Sequence, residues 1–228
     1  MSDHTAEPSD RGRRTYDEDL NCPLCAAISA PYLQDERRTY RQCSVCRLVF
    51  VVNSDLPSRE VERRQYDLHE NDPGDENYRR FLSRVFRPLH ERLPPRSCGL
   101  DFGCGPGPTL SVMFEEAGHT MDVFDPFYFP NRSVLEQQYD FVTASEVVEH
   151  FHRPAEEFAR LFSLLKPGGL LGLMTKRVRD RDAFAKWHYK QDPTHVCFYS
   201  AATFEWLAED RGARFDVICD DVVIFRLS

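Results

Sequence analysis

No stretch of this 228-residue chain stays apolar for the ~20 residues that a membrane-spanning helix requires, and the polar N-terminus lacks the apolar segment of a signal peptide. A cytoplasmic protein with no membrane partner is therefore expected. Internal repeats and low-complexity tracts are also missing, which sets repeat architectures aside. A basic excess is absent as well: 29 Lys and Arg stand against 37 Asp and Glu, for a formal net charge of −8. Residues 1–97 carry 16 Lys and Arg against 17 Asp and Glu, and residues 98–228 carry 13 against 20. A nucleic-acid partner, whose phosphates favour a basic face, is disfavoured by that balance. Residues 1–20 are charged and nearly devoid of apolar side chains, so a disordered tail is expected there.

Eight cysteines are present, and four of them are paired in spacing. Cys22 and Cys25 form one C-x2-C, and Cys43 and Cys46 form a second after seventeen intervening residues. Two tight turns that each present two sulfurs suit a tetrahedral zinc ion, and four thiolates leave no open coordination position. A structural Zn2+ in a ribbon over residues 21–53 is the expectation, with Tyr40 to Gln42 leading into the second turn and Leu48 to Val52 leading out. So short a segment needs the metal for much of its stability. Cys98, Cys104, Cys197 and Cys219 show no partner spacing. Residues 54–96 read as a linker and helical lid, with Phe81, Val85 and Leu89 at helical spacing, and His69 is a candidate lid residue.

The central stretch is Asp101-Phe102-Gly103-Cys104-Gly105-Pro106-Gly107, which follows an apolar run. Glycines at alternate positions let the main chain turn and lie against a ligand, so this is a strand-to-helix turn for a nucleotide-like group. Leu110, Met113, Phe114 and Ala117 then recur at helical spacing before Gly118. Met121 to Phe124 forms a second strand ending in Asp125, an acid placed to accept ribose hydroxyls. Tyr139 to Ala144 reads as a third strand. Glu146 to His150 leads into a helix with the stripe Phe158, Leu161, Phe162 and Leu165, which stops at Lys166-Pro167-Gly168-Gly169 before a strand over Leu170 to Met174. A helix over Ala201 to Asp210 and strands over Phe215 to Cys219 and Val222 to Leu227 complete a loose seven-strand pattern. Only residues 128–138 separate the second strand from the third, too few for the usual helix, strand and loop.

Taken in order, Asp-x-Gly-x-Gly-x-Gly, Asp125, Tyr-Asp-Phe-Val…Glu-Val-Val-Glu-His and Leu-Lys-Pro-Gly-Gly resemble a class I S-adenosylmethionine-dependent methyltransferase. The resemblance covers roughly residues 97–228 and implies an α/β, Rossmann-like fold: a mostly parallel sheet with an antiparallel C-terminal hairpin strand, preceded here by the small zinc ribbon. It implies that S-adenosylmethionine is held by Asp101, Gly103, Cys104, Gly105, Gly107, Asp125, Ser145 and Glu146. The Gly-x-Gly-x-x-Gly spacing of NAD-binding turns is absent. Asp125-Pro126-Phe127-Tyr128 is a coincidental likeness to the box of base amino-methyltransferases, since that box follows the fourth strand.

The acceptor is expected at Lys176 to Ser200, which emerges over the carboxyl ends of the strands, where open α/β sheets bind ligands. Lys176, Arg177, Trp187 and Tyr189 are the candidate substrate residues, and they suit an anionic or aromatic small molecule, methylated on oxygen or nitrogen. His195 is the first candidate for the base and His150 the second, with a structural hydrogen-bonding role open for each. Zinc-ribbon enzymes that methylate RNA are the rival reading, and a catalytically silent cofactor-binding scaffold is a third.

Overall fold

Hydrogen bonding divides the strands between two sheets in the computed structural model, which describes residues 20–68 and 71–228. The expected tail, apart from Leu20, and the lid candidate His69 lie outside the described residues.

The smaller sheet begins with the antiparallel strands β1 (Ser29–Gln34), β2 (Thr39–Cys43) and β3 (Val49–Val51). Their register slips between Pro31 and Leu33, close to a proline that has no N–H to offer a ladder. Two helices follow, α1 (Arg59–Tyr66) and α2 (Glu76–His90). The expected apolar spacing is realised in α2, which buries Leu82, Val85 and Leu89 and is capped at Asp75, whose side chain accepts from the Asn77 N–H.

The larger sheet starts from β4 (Cys98–Phe102), followed by α3 (Thr109–Glu116), β5 (Thr120–Phe124), β6 (Tyr139–Ser145), α4 (Pro154–Ser163) and β7 (Leu165–Met174). After α5 (Arg181–Ala185) and β8 (Cys197–Phe198) come α6 (Ala201–Arg211), β9 (Ala213–Val217) and β10 (Val222–Leu227). Strand order is β5-β4-β6-β7-β10-β9. The first four strands are parallel, and β10 runs antiparallel to both β7 and β9. Buried Phe158, Leu161 and Phe162 fix α4 to the sheet; fully burying such a side chain stabilises by about 1.5–3 kcal/mol. On the other face α2 comes so close to β7 that a Cβ added at Gly172 would stand 2.9 Å from a Leu89 methyl.

Two differences from the sequence reading have local causes. The larger sheet has the six strands named from the sequence, one short of the loose seven-strand pattern, because residues 128–138 form only a turn and a short 3-10 segment at Arg132–Leu135. And β7 begins at Leu165, which pairs with Tyr139 instead of extending the α4 stripe. Gly168, at φ +74°, lets the strand run through the expected stop.

The smaller sheet is completed from far along the chain. β8 adds antiparallel to β3, so the order is β1-β2-β3-β8, and the Val51 N–H donates to the Val196 carbonyl at 2.9 Å. Arg38, in the β1–β2 hairpin and only 8% exposed, reinforces the join. Its guanidinium donates to the carbonyls of His195 (2.8 Å), Asp192 (3.1 Å), Pro193 (3.2 Å) and Lys190. Arg38→Ala strips those carbonyls of their donor. It is expected to cost about 1–3 kcal/mol of unfolding free energy, the range for buried hydrogen-bonding groups left unmet. Urea denaturation is the check, and a wild-type midpoint would contradict it.

Candidate functional site

At the end of β4 the chain turns through Gly103 and Gly105, at φ +75° and +65°, conformations that side chains with a Cβ avoid. The Gly103 N–H reaches the Phe124 carbonyl of the neighbouring β5 at 2.7 Å. Asp125, one residue past β5, holds the turn from the side: its carboxylate accepts from the N–H groups of Gly105 (3.1 Å), Phe127 (2.8 Å) and Tyr128 (3.0 Å). The acid expected to meet ribose hydroxyls thus also shapes the glycine turn. Asn71 closes the turn from above, so near that a Cβ on Gly107 would fall 1.6 Å from the Asn71 carbonyl oxygen. Asp101 sits beneath, accepting from Thr143 Oγ1 (2.8 Å) and Ser111 Oγ (3.2 Å), and burial pushes its carboxyl up to about 6.

A cavity of about 830 Å³ opens from this turn. Asp101, Gly103, Cys104, Gly105, Gly107, Asp125, Ser145 and Glu146 all line it. So do His150, Lys176, Tyr189 and His195 at the far end. α1 roofs the cavity: the Tyr66 ring meets Phe127 and His150 edge-on at 5.7 and 5.3 Å, and Tyr128 Oη donates to Asp67 at 2.7 Å. Arg177 and Trp187, also in the expected substrate set, do not line this cavity. Arg177 turns to the Cys219 and Asp220 carbonyls before β10, at 2.9 and 3.2 Å, while Trp187 packs its indole on Phe184, Tyr189 and Phe198.

The far end is acidic and buried. Tyr189 Oη donates to Glu149 and lies 3.4 Å from Glu146 Oε2. Glu149 is fully buried, and burial raises both carboxyls above their ordinary range. Glu149 Oε2 and Glu146 Oε1 have no hydrogen-bond partner among the described residues. Glu146 is also held at φ +54°, its N–H on the Met174 carbonyl at 2.7 Å. His150 Nδ1 and His195 Nδ1 reach the carbonyls of Thr194 (3.0 Å) and Tyr189 (2.7 Å), and their rings meet at 4.8 Å between centroids. Burial lowers the His195 pKa, so its neutral form is favoured. Glu149, Asp192 and Arg38 were not singled out from the sequence; the Glu-His dipeptide and Asp-Pro-Thr-His were the available signals.

The four spaced cysteines meet in the smaller sheet. Cys22 Sγ lies 3.5 Å from Cys46 Sγ, and Cys25 Sγ lies 3.3 Å from Cys43 Sγ. These separations exceed a disulfide bond and approach the ~3.8 Å edge of a tetrahedron of zinc–thiolate bonds. The two turns are built alike. The first sulfur of each accepts an N–H two residues on, from Leu24 (3.4 Å) or Val45 (3.3 Å), and the residue after the second cysteine, Ala26 or Arg47, has positive φ.

The family model described as a methyltransferase domain matches residues 75–218, a span that includes α2. Among solved structures, the 1,6-didemethyltoxoflavin-N1-methyltransferase of Burkholderia thailandensis, bound to 1,6-didemethyltoxoflavin and S-adenosylhomocysteine, is similar with a TM-score of 0.51 at 15% identity, covering 87% of this chain and 99% of that one. The PH0226 protein of Pyrococcus horikoshii OT3 is similar with a TM-score of 0.51 at 15% identity, covering 72% and 99%. At such identities the likeness speaks for the fold. No curated protein matches the chain.

If this turn cradles a nucleoside ligand, Gly107→Ala and Asp125→Ala both disturb it, one by displacing Asn71 and the other by freeing the turn's N–H groups. Calorimetry with S-adenosylhomocysteine is expected to show affinity weakened by about 1–3 kcal/mol in Asp125→Ala. Equal affinities for variant and wild type would contradict this role.

Proposed function

This chain belongs to the class I S-adenosylmethionine-dependent methyltransferases, and from that premise we propose that it methylates an oxygen or nitrogen of a small-molecule metabolite. The observation that carries the reading is the single cavity joining the glycine turn to Lys176, Tyr189 and His195. Its volume lies within the ~300–1,000 Å³ of small-molecule sites, and α1 shelters it. S-adenosylmethionine fits the near end. The glycines leave the main chain bare there, and Glu146, where the near end meets the far one, offers an oxygen without a described partner to a donor group of the ligand. Bound there, the cofactor supplies an electrophilic methyl group. The chain's own tasks are to hold the acceptor atom in line with that methyl and to keep water out.

Lys176, with its ammonium 5.2 Å from the centre of the Tyr189 ring, and the aromatic Tyr66 and Phe127 suit an anionic or aromatic acceptor. His195 is the group we place against the acceptor, held by its Nδ1 contact and by the loop that Arg38 pins. We assign the four cysteines to one structural Zn2+, in keeping with their sulfur separations and matched turns.

Transfer of labelled methyl groups into fractionated extract of the native host is expected to mark a small, RNase-resistant species, identifiable by mass spectrometry. Label in an RNase-sensitive fraction would overturn the small-molecule reading. On the identified acceptor, His195→Ala is expected to lower turnover about a hundredfold, with S-adenosylhomocysteine affinity little changed. Full activity in that variant would make the histidine structural. Elemental analysis is expected to find zinc that Cys43→Ser/Cys46→Ser loses, and zinc-free wild type purified without chelator would refute the ribbon assignment.

A further inference from the structure

Ligand-type side chains meet a second time, away from the cysteines. A carboxylate oxygen of Glu149 and one ring nitrogen each of His150 and His195 lie within 4.8 Å of one another; the two histidines line the far end of the cavity, and Glu149 is fully buried against them. We propose that these three residues form a second metal site, for a divalent transition-metal ion, open toward the cavity and taking the oxygen of a hydroxyl-bearing acceptor.

The donor set is the first argument. Two imidazoles and one carboxylate are the ligands of catalytic sites that keep positions open for water or substrate, whereas Mg2+ and Ca2+ prefer oxygen throughout. Orientation is the second. Carbonyl oxygens can only accept, so the contacts of His150 Nδ1 to Thr194 and of His195 Nδ1 to Tyr189 place the hydrogen on Nδ1 of each ring. That tautomer puts the lone pair of a neutral ring on Nε2, and a backbone carbonyl behind the other nitrogen is the usual support of a ligating histidine. Tyr189 Oη steadies Glu149 in the same way.

Charge is the third argument. Glu149 is wholly buried and its Oε2 has no hydrogen-bond partner among the described residues; half-buried Glu146, across the Tyr189 hydroxyl, has its Oε1 without one as well. Asp192 adds a third carboxylate, with Oδ2 3.9 Å from His195 Nε2. Lys176, its ammonium 3.1 Å from His188 Nε2, and Arg84, which also pairs with Asp221, offset part of the Glu146 charge, while the Arg38 guanidinium donates to carbonyls. Buried acids compensated only in part are costly, and a divalent cation supplies what they lack.

An acceptor hydroxyl held by the ion loses its proton to solvent at a lower pH than it would unaided. Its oxygen then forms the bond to the methyl carbon while the carbon–sulfur bond breaks, its electron pair remaining on sulfur. The sulfonium thereby becomes the neutral thioether of S-adenosylhomocysteine, and the acceptor becomes a methyl ether.

The proposal rests on reading this end of the cavity as the acceptor site, and metal stoichiometry tests it separately from activity. Zinc-loaded protein titrated with Co2+ is expected to bind one ion beyond the cysteine site, with weak visible bands of nitrogen and oxygen ligation. Glu149→Gln and His195→Ala are each expected to lose that ion while keeping the cysteine-bound zinc and S-adenosylhomocysteine affinity. His150→Asn, at a half-buried position, is the variant to use should the buried ones fail to fold. Saturation at the cysteine site alone, or retention of the additional ion in the folded variants, would overturn the proposal. Extra Co2+ bound by wild type and lost in the variants, with methyl transfer to hydroxyl compounds unaffected by its loss, would uphold the ion site and overturn its role toward the acceptor.

Discussion

One buried guanidinium, reaching from the cysteine-bearing sheet to four carbonyls of the segment 190–195, links the two halves of this molecule. Backbone hydrogen bonds continue the connection. The Val51 N–H of β3 meets the Val196 carbonyl, and the Val196 N–H meets the Glu149 carbonyl at 2.8 Å. A line of force therefore runs from the β1–β3 sheet through the loop to the turn after β6, where His150 and Glu149 sit. Tyr189 and His195 lie on the same loop, so the far end of the cavity takes its shape from residues before position 52.

The two ends of the cavity are stabilised differently. At the glycine turn, backbone geometry does most of the work, and Asp125 spends its charge on three N–H groups. At the far end, side chains dominate, and the Tyr189 hydroxyl stands between fully buried Glu149 and half-buried Glu146. Groups so costly to bury persist where they serve a site, since structure alone would be better stabilised by apolar packing. The division matches a methyltransferase in which one end holds the cofactor and the other meets the acceptor.

Features with local causes were legible in the sequence. The glycines and each C-x2-C turn are local signals, Asp125 is marked by its place just past the second strand, and the apolar spacings of α2, α4 and α6 report the faces that they bury. Residues 128–138 were visibly too short for a further helix and strand, and the larger sheet accordingly has six described strands. What escaped was nonlocal. Nothing near Cys197–Phe198 announces that it will pair with β3 some 150 residues earlier, and an arginine in a charged hairpin gives no sign that it will be buried. Arg177 and Trp187 were read as substrate residues from the place of the Lys176–Ser200 loop over the strand ends. Backbone direction and packing on Phe184 took them elsewhere.

The central claim is that the cysteine-bearing sheet holds the acceptor end of the cavity while the glycine turn stands without it. Amide hydrogen exchange in Cys43→Ser/Cys46→Ser tests this most directly. The account predicts that residues 188–199 lose protection while residues 98–125 keep theirs. Unchanged protection in residues 188–199, or equal loss in both segments, would contradict it.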